Sequence, residues 1–300
     1  MSWGTYGRPE PSVVRAHIRA FLFIRSPTHY KRRVSHVLEQ NRRAWDERVR
    51  RGQSHTETAR ESDFRDPLAV MDDCGWLEGN VRGKRILCLA AGGGKHSVLF
   101  ATAGAIVTVV DLSPAMLELD RRMAKERGLA VRVIETSMED LSMLPEAGFD
   151  VVVQPVSTCY VPDIVAVYRQ VARVTAAGGL YISQHKQPAT LQAEVLPSVR
   201  GYVLSAPYYR TGPLPPVMEG SQHRETGTIE FLHRWQELVG GLCRSGFVIE
   251  DLVEPRHGDP LAEPGSFKHR SAFVPPFVTL KARRSASQID TTAGPKLWTP

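Results

Sequence analysis

Residues 86–97 read "ILCLAAGGGKHS": an apolar run opens into three consecutive glycines, followed by Lys95, His96 and Ser97. Glycine costs backbone entropy, so a triplet after a strand-like run marks a tight turn, a linker, or a place where something approaches the backbone closely. The flanks decide between these. "RILCLA" has the length and composition of a buried strand, "HSVLFATAGA" is compatible with a helix, and "IVTVVD" is a second apolar, β-branched run ending in Asp111, seventeen residues past Gly94. In an open α/β sheet, ligands bind where strands end and Gly-rich turns begin, and an acid at the tip of the second strand accepts hydrogen bonds from ribose hydroxyls. Turn, helix and terminal acid together indicate a nucleoside cofactor rather than a plain structural turn. A dinucleotide site calls for G-x-G-x-x-G, whereas counting from Gly92 puts Ser97 at the third glycine position, which argues against NAD.

The same alternation continues along the chain. "SPAMLELDRRMAKERGL" has Ser113 as a helix N-cap, Pro114 at the first helical position and Gly128 at the stop. "VRVIET", "FDVVVQPV" and "GGLYISQH" are further strands, with "VAVYRQVARVTAA" a helix between the last two. Strands alternating with helices imply βαβ units and a parallel sheet covered on both faces. After His185 the rhythm breaks: residues 186–222 are rich in Pro, Tyr and Gly. Then "TIEFLHRWQELVGGLCRSG" reads as a helix, with "FVIEDLVEP" and "FVPPFVTLKARR" as closing strands. Upstream, residues 1–12 read as poorly ordered, and a helical pattern runs from Val13 to about Arg51. The resulting division is a helical segment over 1–60, a main domain over 61–284 with an insertion at about 186–222, and a disordered tail over 285–300.

Composition bounds the alternatives. With 42% hydrophobic and 23% charged residues, the chain has the profile of a soluble globular protein. The stretch "AFLFI" is too short to span a bilayer and resembles no signal peptide, so no membrane partner is expected. Cys74, Cys88, Cys159 and Cys243 are scattered, without metal-like spacing, which suits a reducing cytoplasm and argues against a metal site. Much of the net charge of +6 lies in residues 1–51. This basic segment reads first as a solvated helix face and second as a surface for RNA, an anionic membrane or an acidic partner.

The glycine stretch resembles motif I of the class I S-adenosylmethionine-dependent methyltransferases. "VTVVDLSPAML", "IETSMEDLSML", "FDVVVQPVSTCYVPD" and "VYRQVARVTAAGGLYIS" resemble that superfamily's next four blocks in order, and "NRRAWDERV" is similar to its cofactor-covering helix. The resemblance runs from about Asn41 to His185, and the closing strands are similar too. It implies a Rossmann-like seven-stranded α/β sheet with helices on both faces, its last strand antiparallel, an N-terminal helical lid and an inserted cap. It implies S-adenosyl-L-methionine as cofactor, with Asp111 at its ribose and Ala90, Gly92, Gly94, Leu112, Ser137 and Met138 around it. Beside these, Gln154 reads as a hydrogen-bonding partner of the ligand, Trp45 as core packing or a lid contact, and His55 as a loop residue closing the cofactor pocket. Cys88, Ala90 and Ser137 depart from the common pattern, so backbone groups of Ala90, Gly92 and Met138 are expected to carry contacts there.

Methyl transfer from a sulfonium is an in-line displacement in which the protein supplies position, desolvation and sometimes a base. "QPVSTCY" is not the Asn/Asp-Pro-Pro-Tyr/Phe of members that modify amino groups of bases, which disfavours nucleic acid. The catalytic candidates are His185, at the end of the fifth strand, and Tyr160, past the fourth. His223, His233 and His269 read first as structural and second as residues reaching the site from the insertion or the last hairpin, and His96 reads as a helix-opening residue. Tyr202, Tyr208 and Tyr209 either offer an aromatic acceptor surface or anchor the insertion. The expected acceptor is a small molecule methylated on O or N, with C left open. The rivals are an RNA or protein methyltransferase and a non-catalytic S-adenosylmethionine-binding protein. Oligomeric state, a homodimer included, is left open.

Overall fold

The computed structural model describes residues 27–217, 221 and 223–286. The expected disorder at 1–12, the start of the expected helix from Val13, and residues 287–300 of the expected tail lie outside them. The chain forms two compact units, Met1–His36 and Val37–Pro300. Helix α1 (Pro27–Arg50) opens in the first and continues in the second. The sheet and the cavity belong to the second unit.

The strands are β1 (Arg85–Leu89), β2 (Ile106–Asp111), β3 (Val131–Glu135), β4 (Phe149–Gln154), β5 (Thr175–Lys186), β6 (Phe247–Val253) and β7 (Phe277–Arg284). They form one sheet in the order β3-β2-β1-β4-β5-β7-β6, with β7 antiparallel to both neighbours and the ladders among β1 to β5 parallel. Near-continuous apolar strands follow from burial on both faces. Leu87, Leu89, Val152 and Tyr181 pack against Ile164, Val167 and Tyr168 of α5 (Ile164–Val174), while Ile86, Cys88, Val151 and Val153 point the other way, toward Phe100 and Leu117. Phe100 lies in α3 (His96–Thr102) and Leu117 in α4 (Pro114–Glu126); α2 (Pro67–Met71) precedes them in the chain.

Capping sets the helix starts. Ser113 Oγ accepts from Met116 N–H at 3.1 Å and Pro114 takes the first position, as the sequence indicates. Several boundaries differ from expectation. The helix expected through Ala177 ends at Val174, and Thr175 already starts β5. The helix expected from Thr228 begins only at Trp235 (α7, Trp235–Arg244). The preceding residues are extended because Asn41 Oδ1 takes the Ile229 N–H at 2.7 Å and the Cys159 carbonyl takes the Phe231 N–H at 2.7 Å. Those donors are unavailable to a helix.

The insertion is tied down at its base. It carries α6 (Pro188–Gln192), and the buried Arg270 of α8 (Phe267–Ser271) donates to the carbonyls of Thr190, Ala193 and Glu194 at 2.7, 2.8 and 2.9 Å. The Tyr202 hydroxyl meets His269 Nδ1 at 2.6 Å, and the Tyr208 oxygen accepts the Trp235 N–H at 3.2 Å. These tyrosines anchor the insertion; none of Tyr202, Tyr208 and Tyr209 lines the cavity.

Candidate functional site

A cavity of about 800 Å³ opens at the carboxyl ends of the parallel strands. The turn after β1 supplies Ala90 to Gly93, the tip of β2 supplies Asp111 and Leu112, and the turn after β3 supplies Thr136 to Met138. Pro155 to Ser157 and Tyr160 follow β4, Gln184 and Lys186 come from β5, and Phe277 opens β7. Trp45 of α1 and His55 close it from the N-terminal side.

The glycine turn is shaped by close approach. A Cβ on Gly92 would lie 2.9 Å from Met116 Cβ and 3.1 Å from Asp111 Cβ, and one on Gly94 would lie 2.9 Å from the Leu119 carbonyl. Neither position has room for a side chain. Ala90, which stands where the common pattern has glycine, adopts φ +48°, a left-handed conformation that an L residue enters at a cost of about 1–2 kcal/mol. Asp120 braces the turn from behind. Fully buried, it accepts the Gly93 N–H at 2.9 Å and the Ser97 hydroxyl, and burial pushes its carboxyl up to about 6.

The Asp111 carboxylate accepts the Gly92 N–H at 3.0 Å and the Ser113 N–H at 2.9 Å. Burial raises its pKa against these hydrogen bonds. Both oxygens are thereby fixed at the cavity wall with lone pairs to spare, the donor-free arrangement that a pair of ribose hydroxyls satisfies. The narrow Gly92 passage and this oriented carboxylate fit the nucleoside of the cofactor. Asp46 of α1 is docked beside it, accepting from Ser113 Oγ at 2.6 Å. The buried Asn41 joins α1 to two further segments, donating to the Tyr160 and Ile229 carbonyls at 3.0 and 3.1 Å while accepting from Ile229.

Of the residues named from sequence, Trp45, His55, Ala90, Gly92, Asp111, Leu112, Ser137, Met138 and Tyr160 come together around the cavity. His55 does so at φ +70°. Gly94 and Gln154 do not line it. Gln154 is buried and spent internally, donating to Ser157 Oγ at 2.9 Å and accepting from the Tyr181 hydroxyl at 2.6 Å. His185 requires the larger correction. Side chains alternate along β5, so Gln184 and Lys186 meet the cavity and His185 faces the opposite layer, fully buried beside Tyr168. Thr158 Oγ1 and Ser183 Oγ engage its two ring nitrogens at 2.8 Å each, and burial pushes its pKa down to about 3. It is a neutral structural histidine.

In its place β5 presents Lys186, whose ammonium lies 2.8 Å from Glu225 Oε2 and 3.2 Å from Glu230 Oε2. Tyr160 donates its hydroxyl to the same Glu225 oxygen at 2.7 Å, and the Trp45 ring meets the Tyr160 ring edge-on at 5.9 Å. His96 also lines the cavity and is held neutral, burial lowering its pKa to about 4.

Known proteins resemble this chain along the strands that build the cavity. A family model described as "Methyltransferase domain" matches residues 87–183, from β1 to β5. A protein named as an uncharacterized methyltransferase, YbaJ of Bacillus subtilis, is 29% identical over 235 residues, covering 74% of this chain and 92% of its own. The chain is a class I S-adenosylmethionine-dependent methyltransferase. An S-adenosylmethionine-dependent methyltransferase of Mesorhizobium loti has the same fold at a TM-score of 0.56 and 25% identity, covering 68% of this chain and 93% of that one. A ubiquinone biosynthesis O-methyltransferase of Bordetella pertussis is 34% identical over 124 residues, 40% of this methyltransferase and 51% of that protein. No helix among the described residues of this methyltransferase is long and apolar enough to cross a membrane.

Sequence reasoning missed Asn41, Asp120, Lys186 and Glu225. Only Lys186 left a signal. Strand alternation forces a choice between it and His185, and a lysine at a buried strand end requires a carboxylate partner.

Proposed function

We propose that this methyltransferase moves the S-adenosylmethionine methyl group to an oxygen or nitrogen of a small molecule. One observation carries the reading: the cavity that begins at the glycine turn and Asp111 continues to Tyr160, Lys186 and Glu225. Its volume falls in the usual range for small-molecule sites, about 300–1,000 Å³. Asp111 and the glycine turn are assigned to the ribose, and Ser137 and Met138 to the base. Trp45 and His55 form the cover, and Arg60 and Lys95 are cations placed to receive a carboxylate. When bound, the cofactor supplies the electrophilic methyl; the protein holds the acceptor in line with it and excludes water.

The RNA reading finds less support. The cavity wall carries Arg60, Lys95 and Lys186 against Glu57, Asp63, Asp111 and Glu225, without the cationic excess that a polyanion requires. The relative named as an O-methyltransferase favours oxygen as the atom modified. The test is incubation with methyl-tritiated S-adenosylmethionine, a small-metabolite extract and total RNA. Label in the small-molecule fraction supports the proposal, and label confined to RNA or protein defeats it.

A further inference from the structure

The strand order places two different environments along the cavity. Asp111 ends β2 and Lys186 ends β5, three strands away, a separation of roughly 14 Å at the usual strand spacing. Around Lys186 the wall changes character.

Four rings form one side. His223 and Phe267 lie 6.1 Å apart and tilted by only 31°, Phe267 and Phe277 lie 6.4 Å apart, and His257 meets Phe277 edge-on at 5.4 Å. All four line the cavity. Flat, weakly polar surfaces of this kind favour a planar aromatic guest. Opposite charges cancel close by. Lys186 pairs with Glu225 and Glu230, and Arg224 lies 3.3 Å from Glu230, so two cations face two carboxylates in a buried cluster. A charged guest there would add a charge without a partner, which is costly away from water.

The polar valences that remain suit a hydroxyl. Two of the three ammonium N–H groups of Lys186 are directed at Glu225 and Glu230, leaving one for an oxygen at the cavity wall. His223 Nε2 lies 3.3 Å from the Gly265 carbonyl, which can only accept, so the ring proton sits on Nε2 and Nδ1 is bare. Burial, with Arg270 and Lys186 nearby, lowers the imidazole's pKa and keeps it neutral.

We infer that the acceptor of this methyltransferase is a neutral, planar hydroxyaromatic molecule, with its ring among His223, His257, Phe267 and Phe277 and its hydroxyl between Lys186 and His223. The inference rests on the small-molecule methyl transfer proposed above. The hydroxyl proton passes to His223 Nδ1, and an oxygen lone pair forms the new C–O bond as the methyl–sulfur bond breaks. The electron pair of that bond stays on sulfur, giving a neutral thioether, and the imidazolium returns its proton to solvent. Lys186 holds the oxygen while negative charge develops on it.

The test uses one ring with three charges. The full-length protein is first titrated with S-adenosylhomocysteine, then, loaded with it, with 2-naphthol, 2-naphthoate and 2-naphthylmethylamine at pH 7. The expected result is that 2-naphthol binds at least about tenfold tighter than either ion. Equal or tighter binding of an ion, or no binding of 2-naphthol, overturns the acceptor class and leaves the methyltransferase reading standing. Failure of S-adenosylhomocysteine to bind overturns both. With S-adenosylmethionine, 2-naphthol should give 2-methoxynaphthalene, and His223→Gln should lower kcat about a hundredfold with KM within about threefold. A bound but unmethylated ring, or a His223→Gln variant with wild-type kcat, removes the histidine as base.

Discussion

The Lys186 ammonium lies 2.8 Å from Glu225 Oε2, with 4% and 14% of the two side chains exposed. Breaking such a pair from one side leaves a buried charge uncompensated, typically at a cost of about 3–5 kcal/mol. Lys186→Met should therefore destabilise the protein on that scale, measured by urea unfolding at pH 7. The pH dependence has a definite sign. Against its burial, the Lys186 charge holds Glu225 down at about 2, below the roughly 4.3 of an unfolded glutamate. Its stabilising share is complete above about pH 4.3 and is lost as pH falls toward 2. Wild-type stability should fall more steeply between pH 5 and 3 than that of Glu225→Gln. Parallel curves would show that the pair is energetically silent.

Asp120 has the opposite sign. Burial lifts it to about 6, above the unfolded aspartate near 3.9, so its contribution is greatest below about pH 3.9 and declines as pH rises through 6. Asp120→Asn should remove that decline. Because Asp120 accepts the Gly93 N–H, Asp120→Leu, which leaves that buried donor unpaired, should weaken S-adenosylhomocysteine binding by about tenfold. Unchanged affinity and an unchanged stability profile would show that the glycine turn holds its shape unaided.

His185 should behave as a core residue. Burial lowers it to about 3, so the unfolded chain takes up a proton near pH 6.5 that the native protein refuses. Stability is lost as pH drops below about 6.5, down toward 3. His185→Leu should reduce that slope by about one proton and cost roughly 1–3 kcal/mol through the orphaned Thr158 and Ser183 hydroxyls. Cofactor affinity should not change. A variant of full stability that has lost methyl transfer would put His185 back at the site.

The residues legible in the sequence were those whose signal is local. The strand-turn-helix around Gly92, the acid at the tip of β2 and the Ser113-Pro114 start of α4 are all written within a few neighbouring positions. The face of β5 was not. Its residues are buried on both sides, so no alternation of polar and apolar positions distinguishes His185 from Lys186. The partners of Lys186 lie thirty-nine and forty-four residues away, Glu230 inside the segment from Thr228 whose pattern reads as helix and Glu225 just before it. That segment is extended because Asn41, 188 residues earlier, claims the Ile229 N–H. Such tertiary contacts override local propensity, and only the folded chain displays them.

The central claim is that Asp111 and the glycine turn hold the nucleoside of S-adenosylmethionine, and isothermal titration of S-adenosylhomocysteine into wild-type protein and Asp111→Ala tests it most directly. Asp111 offers two carboxylate oxygens already oriented by Gly92 and Ser113. Loss of hydrogen bonds to a charged group should weaken binding by roughly 1.5–3 kcal/mol, about tenfold to a hundredfold. One-to-one binding to the wild type with that loss in a folded variant is the predicted result. An affinity equal in both proteins, or no binding to either, would contradict the assignment.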